Sequence, residues 1–245
     1  YIIITELKNK TSDENFQQLK LWFHPRIGIA KENALFNNIS QCSYSYKPNP
    51  SQLKQAIQHD VQLKQIQGTK EIKQFEKEFT NSYRQRYFYR TLKNEPYWYL
   101  FSIKSNHYFK SKQIFQNSLD ILIDKLNRCV DNLKLLTVDP EKSRYSISIQ
   151  ENRSLHFHMN DENDTLGNIL QSSIVEQIED TSLITFCGYK KLHPLEEKIL
   201  LVVHHRLVDE VDDSSILSQV VFSLSEIIDN TVNTIQSMMD KTDQI

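Results

Sequence analysis

The residues with the clearest capacity for chemistry are four histidines in the second half of the chain. His156 and His158 flank Phe157, and His204 directly precedes His205. Alternate residues of a strand share a face, so the first pair could offer two imidazoles to a zinc ion. No thiolate or carboxylate is spaced to complete a recognisable ligand set. Histidines on the solvated face of half-buried strands are the simpler interpretation, and we predict no metal site in this chain.

Other catalytic chemistries lack a matching pattern. The four glycines lie at positions 28, 68, 167 and 188, which excludes the Gly-rich phosphate-binding motifs. Serine, histidine and aspartate all occur, but never around a Gly-x-Ser-x-Gly turn. The clustered acidic residues belong to segments that we interpret as solvated turns: Glu151, Asp161, Glu162 and Asp164. We therefore predict no catalytic residue, although residues distant in sequence can still assemble an active site.

One stretch interleaves arginines with aromatic residues. Residues 83–90 read Tyr-Arg-Gln-Arg-Tyr-Phe-Tyr-Arg. Aromatic rings stack on bases and arginines hold phosphates, so a free-standing nucleic-acid-binding module is one interpretation of this stretch. The other interpretation is an extended segment with its aromatic face packed inward and its arginines in solvent. The residues concerned are Tyr83, Arg84, Arg86, Tyr87, Tyr89 and Arg90.

Composition restricts the class of protein. The 245 residues include 29 Lys and Arg against 31 Asp and Glu, a formal charge of −2. A generic polyanion binder needs surplus cations that displace counterions, so this charge argues against that class while allowing local patches.

Cys42, Cys129 and Cys187 are too few for a disulfide framework, and we expect buried free thiols in a reducing compartment. No apolar run approaches the roughly 20 residues that span a bilayer, so we predict no membrane partner.

The elements that would position these residues begin with strands. Residues 2–7, 19–23 and 42–46 have apolar or alternating patterns typical of strands. Residues 51–80 have apolar positions at nearly helical spacing, which favours two amphipathic helices, with a low-complexity linker as the alternative. A β-prone, aromatic run follows at 97–103.

The clearest helix of the first half covers residues 115–136, where apolar residues recur every three or four positions. Asp139-Pro140 ends it, because proline cannot continue the hydrogen-bond ladder. We place a boundary at 137–144. The second half predicts the order β-β-α-β-β-α, with Asp164 as the cap of the first helix and a long helix over 216–239.

Two motifs in the second half carry a resemblance. Residues 164–170 read Asp-Thr-Leu-Gly-Asn-Ile-Leu, and residues 186–199 read Phe-Cys-Gly-Tyr-Lys-Lys-Leu-His-Pro-Leu-Glu-Glu-Lys-Ile. With the two strands and long helix around them, residues 145–240 resemble the small alpha-like subunit of multisubunit RNA polymerases, the eleventh subunit of the eukaryotic enzyme or archaeal L. The residues of this signature are Asp164, Thr165, Leu166, Gly167, Asn168, Phe186, Gly188, Tyr189, His193, Pro194 and Glu196.

The glycines of the signature have physical expectations of their own. Gly167 costs a helix about 1 kcal/mol relative to alanine, so we expect a close backbone approach by a neighbour there. We expect Gly188, with the His193-Pro194 turn, to shape a tight crossing between two strands.

The first half is similar to the larger alpha-like subunit, the third subunit of the eukaryotic enzyme or archaeal D. Residues 26–36 match a loop whose usual pattern is Gly-Ile-Gly-Lys-Glu-His-Ala-Lys, with Ala30 in place of the second glycine and Asn33 in place of the histidine. Residues 97–136 resemble that subunit's returning strand and last helix. The resemblance implies a partner-contact loop that contains Gly28, Lys31 and Glu32.

Together the two likenesses imply an α+β fold in which two alpha-like halves, each a sheet packed with long helices, form an intramolecular pseudo-heterodimer with part of an inserted β-rich domain. The implied pairing residues are Phe115, Leu119, Leu122, Leu126, Leu224, Ile228 and Ile235. The implied domains are the end of the inserted domain (1–46), a helical and aromatic insert (47–95), the returning dimerisation strand and helix (96–138), a linker (139–144) and the small alpha-like domain (145–245).

The function implied by the resemblance is a non-catalytic assembly platform of a DNA-directed RNA polymerase. Its expected partners are the two large catalytic subunits and small polymerase subunits, with nucleic acid met only indirectly. We expect no cofactor in this chain, and magnesium and zinc in the partner subunits.

The resemblance also carries expectations about source and missing sequence. Such fusions point to large DNA viruses of eukaryotes, and the bias toward Ile and Asn suits an AT-rich genome. The expected location is the host cytoplasm in a viral factory and the virion, or the nucleus for a cellular protein. Tyr1 opens a strand-like run, so we expect residues to precede it. The resemblance implies that these are the first dimerisation strand and helix and the start of the inserted domain.

Overall fold

A computed structural model describes residues 3–7, 18–106, 108–150, 154–178, 183–206 and 212–243. The chain divides into two compact units, residues 1–109 and 110–245. The first unit contains, in chain order, β1 (Ile39–Tyr46), α1 (Pro50–Leu63), α2 (Thr69–Tyr83) and β2 (Tyr99–Ser105), with short 3-10 helices at Ala34–Phe36 and Arg84–Arg86. β1 and β2 form an antiparallel two-stranded ribbon.

The two predicted helices of the first unit are confirmed, and the linker alternative is wrong. Asn49 caps α1, since its side-chain oxygen accepts hydrogen bonds from the amides of Ser51 and Gln52, both at 3.2 Å. Pro50 at the first helical position has the φ that a helix requires. α1 and α2 contact each other, and Ile57 and Phe79 are buried.

The predicted strand at residues 19–23 is wrong. Residues 18–38 contain one short 3-10 helix and no strand, and Trp22 and Phe23 are both exposed. Alternation yields a strand only where a second strand pairs with it and one face is covered. Neither condition holds here, although the predicted strand at 42–46 is confirmed by β1.

The predicted strand at residues 2–7 is also wrong over its described part. Residues 3–7 have no regular structure, and Ile3 and Ile4 are exposed. Tyr1 and Ile2 lie outside the described residues, so the expectation of a preceding strand and helix stays a prediction.

The second unit is an antiparallel sheet with three helices. In chain order its elements are α3 (Ser111–Val138), β3 (Tyr145–Gln150), β4 (Ser154–Asn160), α4 (Asp164–Gln177), β5 (Ile184–Lys191), β6 (Lys198–His205) and α5 (Asp213–Asp243). The strand order is β3-β4-β6-β5, with neighbours antiparallel. The predicted order β-β-α-β-β-α after the first long helix is confirmed, and the mixture of helices and sheet is consistent with an α+β fold. No helix among the described residues has the length and apolarity needed to cross a bilayer.

The core of the second unit lies between the sheet and its helices. Alternate residues of β4 are buried on the inner face, and they pair with alternate residues of β6 through Phe157 opposite Leu201 and Leu155 opposite Val203. The helices contribute side chains at every third or fourth position. Buried residues are therefore spaced two apart along the strands and about 3.6 apart along the helices. α3 shares this core with α5, although the sequence assigned the two helices to different halves of the chain.

Candidate functional site

The long helices α3 and α5 contact each other along their apolar stripes. Of the seven predicted pairing residues, four are buried in the common core, two pack against it, and Phe115 is half-buried outside it. The four buried residues are Leu126, Leu224, Ile228 and Ile235, and the two peripheral ones are Leu119 and Leu122. The pairing surface is therefore a continuous part of the core rather than an exposed stripe.

A partly buried ion pair joins α3 to the loop before α4. Lys125 Nζ lies 2.9 Å from Glu162 Oε2, and the two side chains are only 22% and 12% exposed. The hydroxyl of Tyr145, on β3, donates to Glu162 Oε1 at 3.1 Å, and Lys125 Nζ donates to Asn163 Oδ1 at 3.4 Å. Three elements are thus fixed together by one carboxylate. Sequence reasoning missed this cluster, because its members are far apart in the chain and follow no local pattern.

The thiols of the second unit are poor nucleophiles. Burial raises the pKa of Cys129 to about 12 and the pKa of Cys187 to about 12. Burial, followed by the nearby Cys129 and Glu162, also raises the pKa of Tyr145. Both thiols are protonated at neutral pH, whereas a nucleophilic cysteine needs its thiolate. All three cysteines are free, but only these two are buried, so the expectation of burial is wrong for the exposed Cys42.

The cap of α4 is Asn163, and the prediction that Asp164 caps the helix is wrong. Asn163 has extended backbone angles, and its side-chain oxygen accepts from the amide of Thr165 at 3.1 Å. Asp164 is the first helical residue, where its negative charge favours the helix dipole. Its Oδ2 lies 3.9 Å from Lys191 Nζ on β5.

Gly167 allows α4 to lie directly against an aromatic ring. A Cβ atom at this position would be 2.5 Å from Cδ2 of Tyr189, on β5. A close approach at Gly167 is therefore confirmed, but the neighbour is the side-chain ring of Tyr189 and not the backbone that was expected. The adjacent Leu166 is fully buried, whereas Thr165 and Asn168 are exposed.

We predict that Gly167→Ala destabilises the second unit by about 1–3 kcal/mol, because the added methyl group overpacks against the ring of Tyr189. This is the net loss, after the gain of about 1 kcal/mol that alanine brings in helix propensity. Thermal unfolding followed by circular dichroism measures the change. Asn168→Ala on the exposed side of the same turn is the control, and Gly167→Ala in a Tyr189→Ala background should no longer destabilise. A stabilised single variant would contradict the packing argument.

Strand β5 differs from its prediction at Gly188. This glycine lies inside the strand, opposite Val202, and β5 continues to Lys191. The expectation that it shapes a crossing between strands is wrong, because the turn begins only after the strand ends. On the same strand, the amide of Tyr189 donates to Gln171 Oε1 of α4 at 3.2 Å, a contact that the sequence did not indicate.

The turn after β5 is exposed and locally ordered. The amide of Leu195 donates to Nδ1 of His193 at 3.2 Å, and the amide of Glu196 donates to the carbonyl of His193 at 3.2 Å. Pro194 lies between them, and Glu196 Oε2 is 3.6 Å from Lys198 Nζ. His193 acts here as a turn residue.

Three of the four histidines share the outer face of the sheet, while His205 points to the inner face and is buried. His156 lies 3.3 Å from the hydroxyl of Ser154, and His158 lies 3.3 Å from that of Ser148. The ring of His204 makes an edge contact with Phe186, with centroids 5.0 Å apart.

The environment of His156 favours the neutral imidazole. Burial, followed by the nearby His158, Lys190 and His204, lowers its pKa. Within the described residues no cluster of His, Cys, Asp and Glu is arranged to hold a metal ion.

The loop of residues 26–36, which is similar to a loop of the larger alpha-like subunit, belongs to the first unit. Gly28 lies against the ring of Phe36, which occupies the space that a Cβ atom would need, so this glycine also permits a close approach. Glu32 is exposed and lies 3.7 Å from Arg26, and Lys31 is exposed.

The arginine and aromatic stretch forms contacts within itself. Arg86 lies over the ring of Tyr83 at 4.9 Å and Arg90 over Phe88 at 4.2 Å. Arg90 also donates to Asn94 Oδ1 at 2.7 Å. The three arginines are exposed and the rings of residues 87–89 are half-buried, as the second interpretation expects. The expectation of an extended segment is wrong for residues 83–86, because Tyr83 ends α2 and Arg84–Arg86 form a 3-10 helix.

The comparisons with known proteins concern the second unit. No curated protein matches the chain. Residues 154–243, less than half of the chain, match the model of a family described as the RNA polymerase Rpb3/Rpb11 dimerisation domain. The matched residues run from β4 through α5 and leave out α3 and β3. This part of the chain is therefore similar to a dimerisation domain of non-catalytic polymerase subunits, and the match supports an RNA polymerase alpha-like subunit.

Proposed function

We propose that the chain is a non-catalytic assembly platform of a multisubunit DNA-dependent RNA polymerase, built from two fused alpha-like halves. The observation that carries this proposal is the packing of α3 on α5. The matched region ends with α5, and the helix that covers its apolar stripe comes from upstream of that region.

Because α3 and α5 belong to the same chain, the surface of α5 is covered within one polypeptide and not by a partner. A dimerisation domain exposes an apolar surface that a partner must bury. In this chain the buried positions of α5 include Leu224, Ile228 and Ile235, and those of α3 include Leu126 and Leu133 in the same core. The partner helix is thus supplied in cis, which supports a pseudo-heterodimer within one polypeptide.

Other parts of the proposal follow from the likeness to alpha-like subunits. The composite surface nucleates the two large catalytic subunits and contacts small polymerase subunits. Nucleotidyl transfer, with its magnesium, and structural zinc belong to those partners. Residues 1–46 are assigned to the end of the inserted domain and residues 47–95 to a helical and aromatic insert, with Gly28, Lys31 and Glu32 in a partner-contact loop. The source proposed is a large DNA virus of eukaryotes, with the protein in the cytoplasmic factory and the virion, or in the nucleus if it is cellular.

Two measurements on the tagged chain test this function. Light scattering of the purified chain should give the mass of a monomer, 29.0 kDa, because α5 is already covered in cis. A pull-down from cells that express the polymerase should recover both large subunits in equal amounts. A homodimer that dissociates when α5 is altered would contradict pairing in cis. A stable monomer that recovers no polymerase subunit would contradict the platform.

A further inference from the structure

The near-neutral total charge hides a strong asymmetry between the two units. Residues 1–109 contain 16 Lys and Arg against 9 Asp and Glu, a formal charge of +7. Residues 110–245 contain 13 against 22, a formal charge of −9. The expectation from the total charge therefore does not apply to the first unit, whose charge suits a polyanionic partner.

The ribbon of the first unit has one aromatic face. Tyr44 and Tyr46 on β1 stand opposite Phe101 and Tyr99 on β2, so the four rings lie on the same side. Tyr44 is 62% exposed and Phe101 64%. The centroids of contacting rings are 5.4 to 6.2 Å apart, and Phe88 extends the series at 4.7 Å from Tyr46. We call these five rings the aromatic row.

Two arginines lie against the aromatic row, and further cations occur in the neighbouring sequence. Arg90 lies over the ring of Phe88, and Arg84 lines a groove of about 500 Å³ together with Tyr44, Tyr46 and Leu100. Residues 39–48 and 83–106, which hold the row and its flanks, contain six Lys and Arg and a single acidic residue. These cations are Lys47, Arg84, Arg86, Arg90, Lys93 and Lys104. A protein partner would need a strongly acidic surface with apolar pockets, whereas a nucleic acid strand supplies both phosphates and flat π faces.

We propose that the aromatic row and Arg84 form a binding surface for single-stranded RNA. Unpaired bases stack on the exposed rings, and phosphates of the same strand meet Arg84 in the groove and Arg90 beside Phe88. Three of the rings belong to tyrosines, whose hydroxyls can bond to the 2′-hydroxyl that distinguishes RNA from DNA. This surface differs from the stretch at residues 83–90, since most of its stacking area comes from β1 and β2. The inference does not depend on the polymerase assignment, which concerns residues 154–243.

The experiment measures binding of a short fluorescent oligo(U) to the full chain by anisotropy over a series of salt concentrations. The double variant Tyr44→Ala/Phe101→Ala should lower the affinity about tenfold or more, because each stacked base contributes strongly. Arg84→Ala should reduce the slope of log K against log salt by about 0.7, the value for one phosphate contact on a single strand. The exchange Tyr44→Phe/Phe101→Tyr keeps both rings and should retain most of the affinity.

Matched controls separate this surface from general charge and aromatic effects. Lys73→Ala removes an exposed cation from α2, and Phe222→Ala removes an exposed ring from α5 in the other unit. Both should bind oligo(U) as the parent chain does. Absence of binding at low salt, or unchanged affinity of the alanine double variant, would overturn the proposal. So would equal affinity for oligo(dU), or a double variant that loses polymerase subunits in a pull-down while it binds RNA normally.

Discussion

Leu224→Asp is expected to unfold the second unit and to abolish recovery of polymerase subunits in a pull-down. Leu224 is 1% exposed and belongs to the core that α3 and α5 share. Loss of a buried leucine side chain costs about 2–5 kcal/mol, and an unpaired carboxylate at the same place adds a desolvation penalty. The sum is comparable with the whole stability of a domain, about 5–15 kcal/mol. Circular dichroism should show loss of cooperative unfolding.

The control for this variant lies two residues away on the same helix. Phe222 is 70% exposed, so Phe222→Asp should change the free energy of unfolding by no more than about 0.5 kcal/mol. The two variants introduce the same charge into α5 and differ in burial. Equal effects on unfolding would mean that α5 does not pack as described. A folded Phe222→Asp chain that still recovers the large subunits would assign the loss in Leu224→Asp to the pairing surface.

Lys125→Met is expected to lower the free energy of unfolding by about 3 kcal/mol, the lower end of the range for buried pairs, because it leaves the largely buried carboxylate of Glu162 without its cation. Tyr145 would still donate to that carboxylate, but one neutral hydrogen bond does not replace an ammonium at 2.9 Å. Urea unfolding of the purified chain measures the change.

Two further variants test the origin of this loss. Lys134→Met makes the same substitution at an exposed position of α3 and should have little effect. Adding Glu162→Leu to Lys125→Met removes the stranded carboxylate and should recover most of the lost stability. A double variant that is less stable than Lys125→Met would contradict the account, since the loss would then come from packing around Tyr145.

The sequence predicted the elements of the second unit because their periods differ clearly. Apolar residues recur every second position in β4 and every third or fourth in α3 and α5, and each of these periods has one structural meaning. β6 contains a continuous apolar run of strand length, residues 199–203. The likeness in residues 164–170 also led to a correct expectation for Gly167, since a helical glycine needs a packing reason. The identity of that reason, the ring of Tyr189 on another element, required the fold.

The remaining features depend on pairing that local patterns do not encode. The alternation at residues 19–23 looks like a strand, but the described part of the chain contains no strand that pairs with it. Asn163 and Asp164 are equally good caps by residue type, and only the backbone angles decide between them. The ion pair of Lys125 with Glu162 and the aromatic face of the ribbon arise when distant segments meet. The total charge misled for the same reason, because it averages over two units of opposite sign.

The hydrogen bond between Gln171 and the amide of Tyr189 has a consequence for how the sheet can grow. β5 is one edge of the sheet, and unpaired amides at an edge are a template for a further strand from another chain. Gln171 occupies one of these amides, and α4 lies against the strand. A strand from a partner or a second copy would first have to break this hydrogen bond to pair with Tyr189, so Gln171 protects the edge at β5 against added strands.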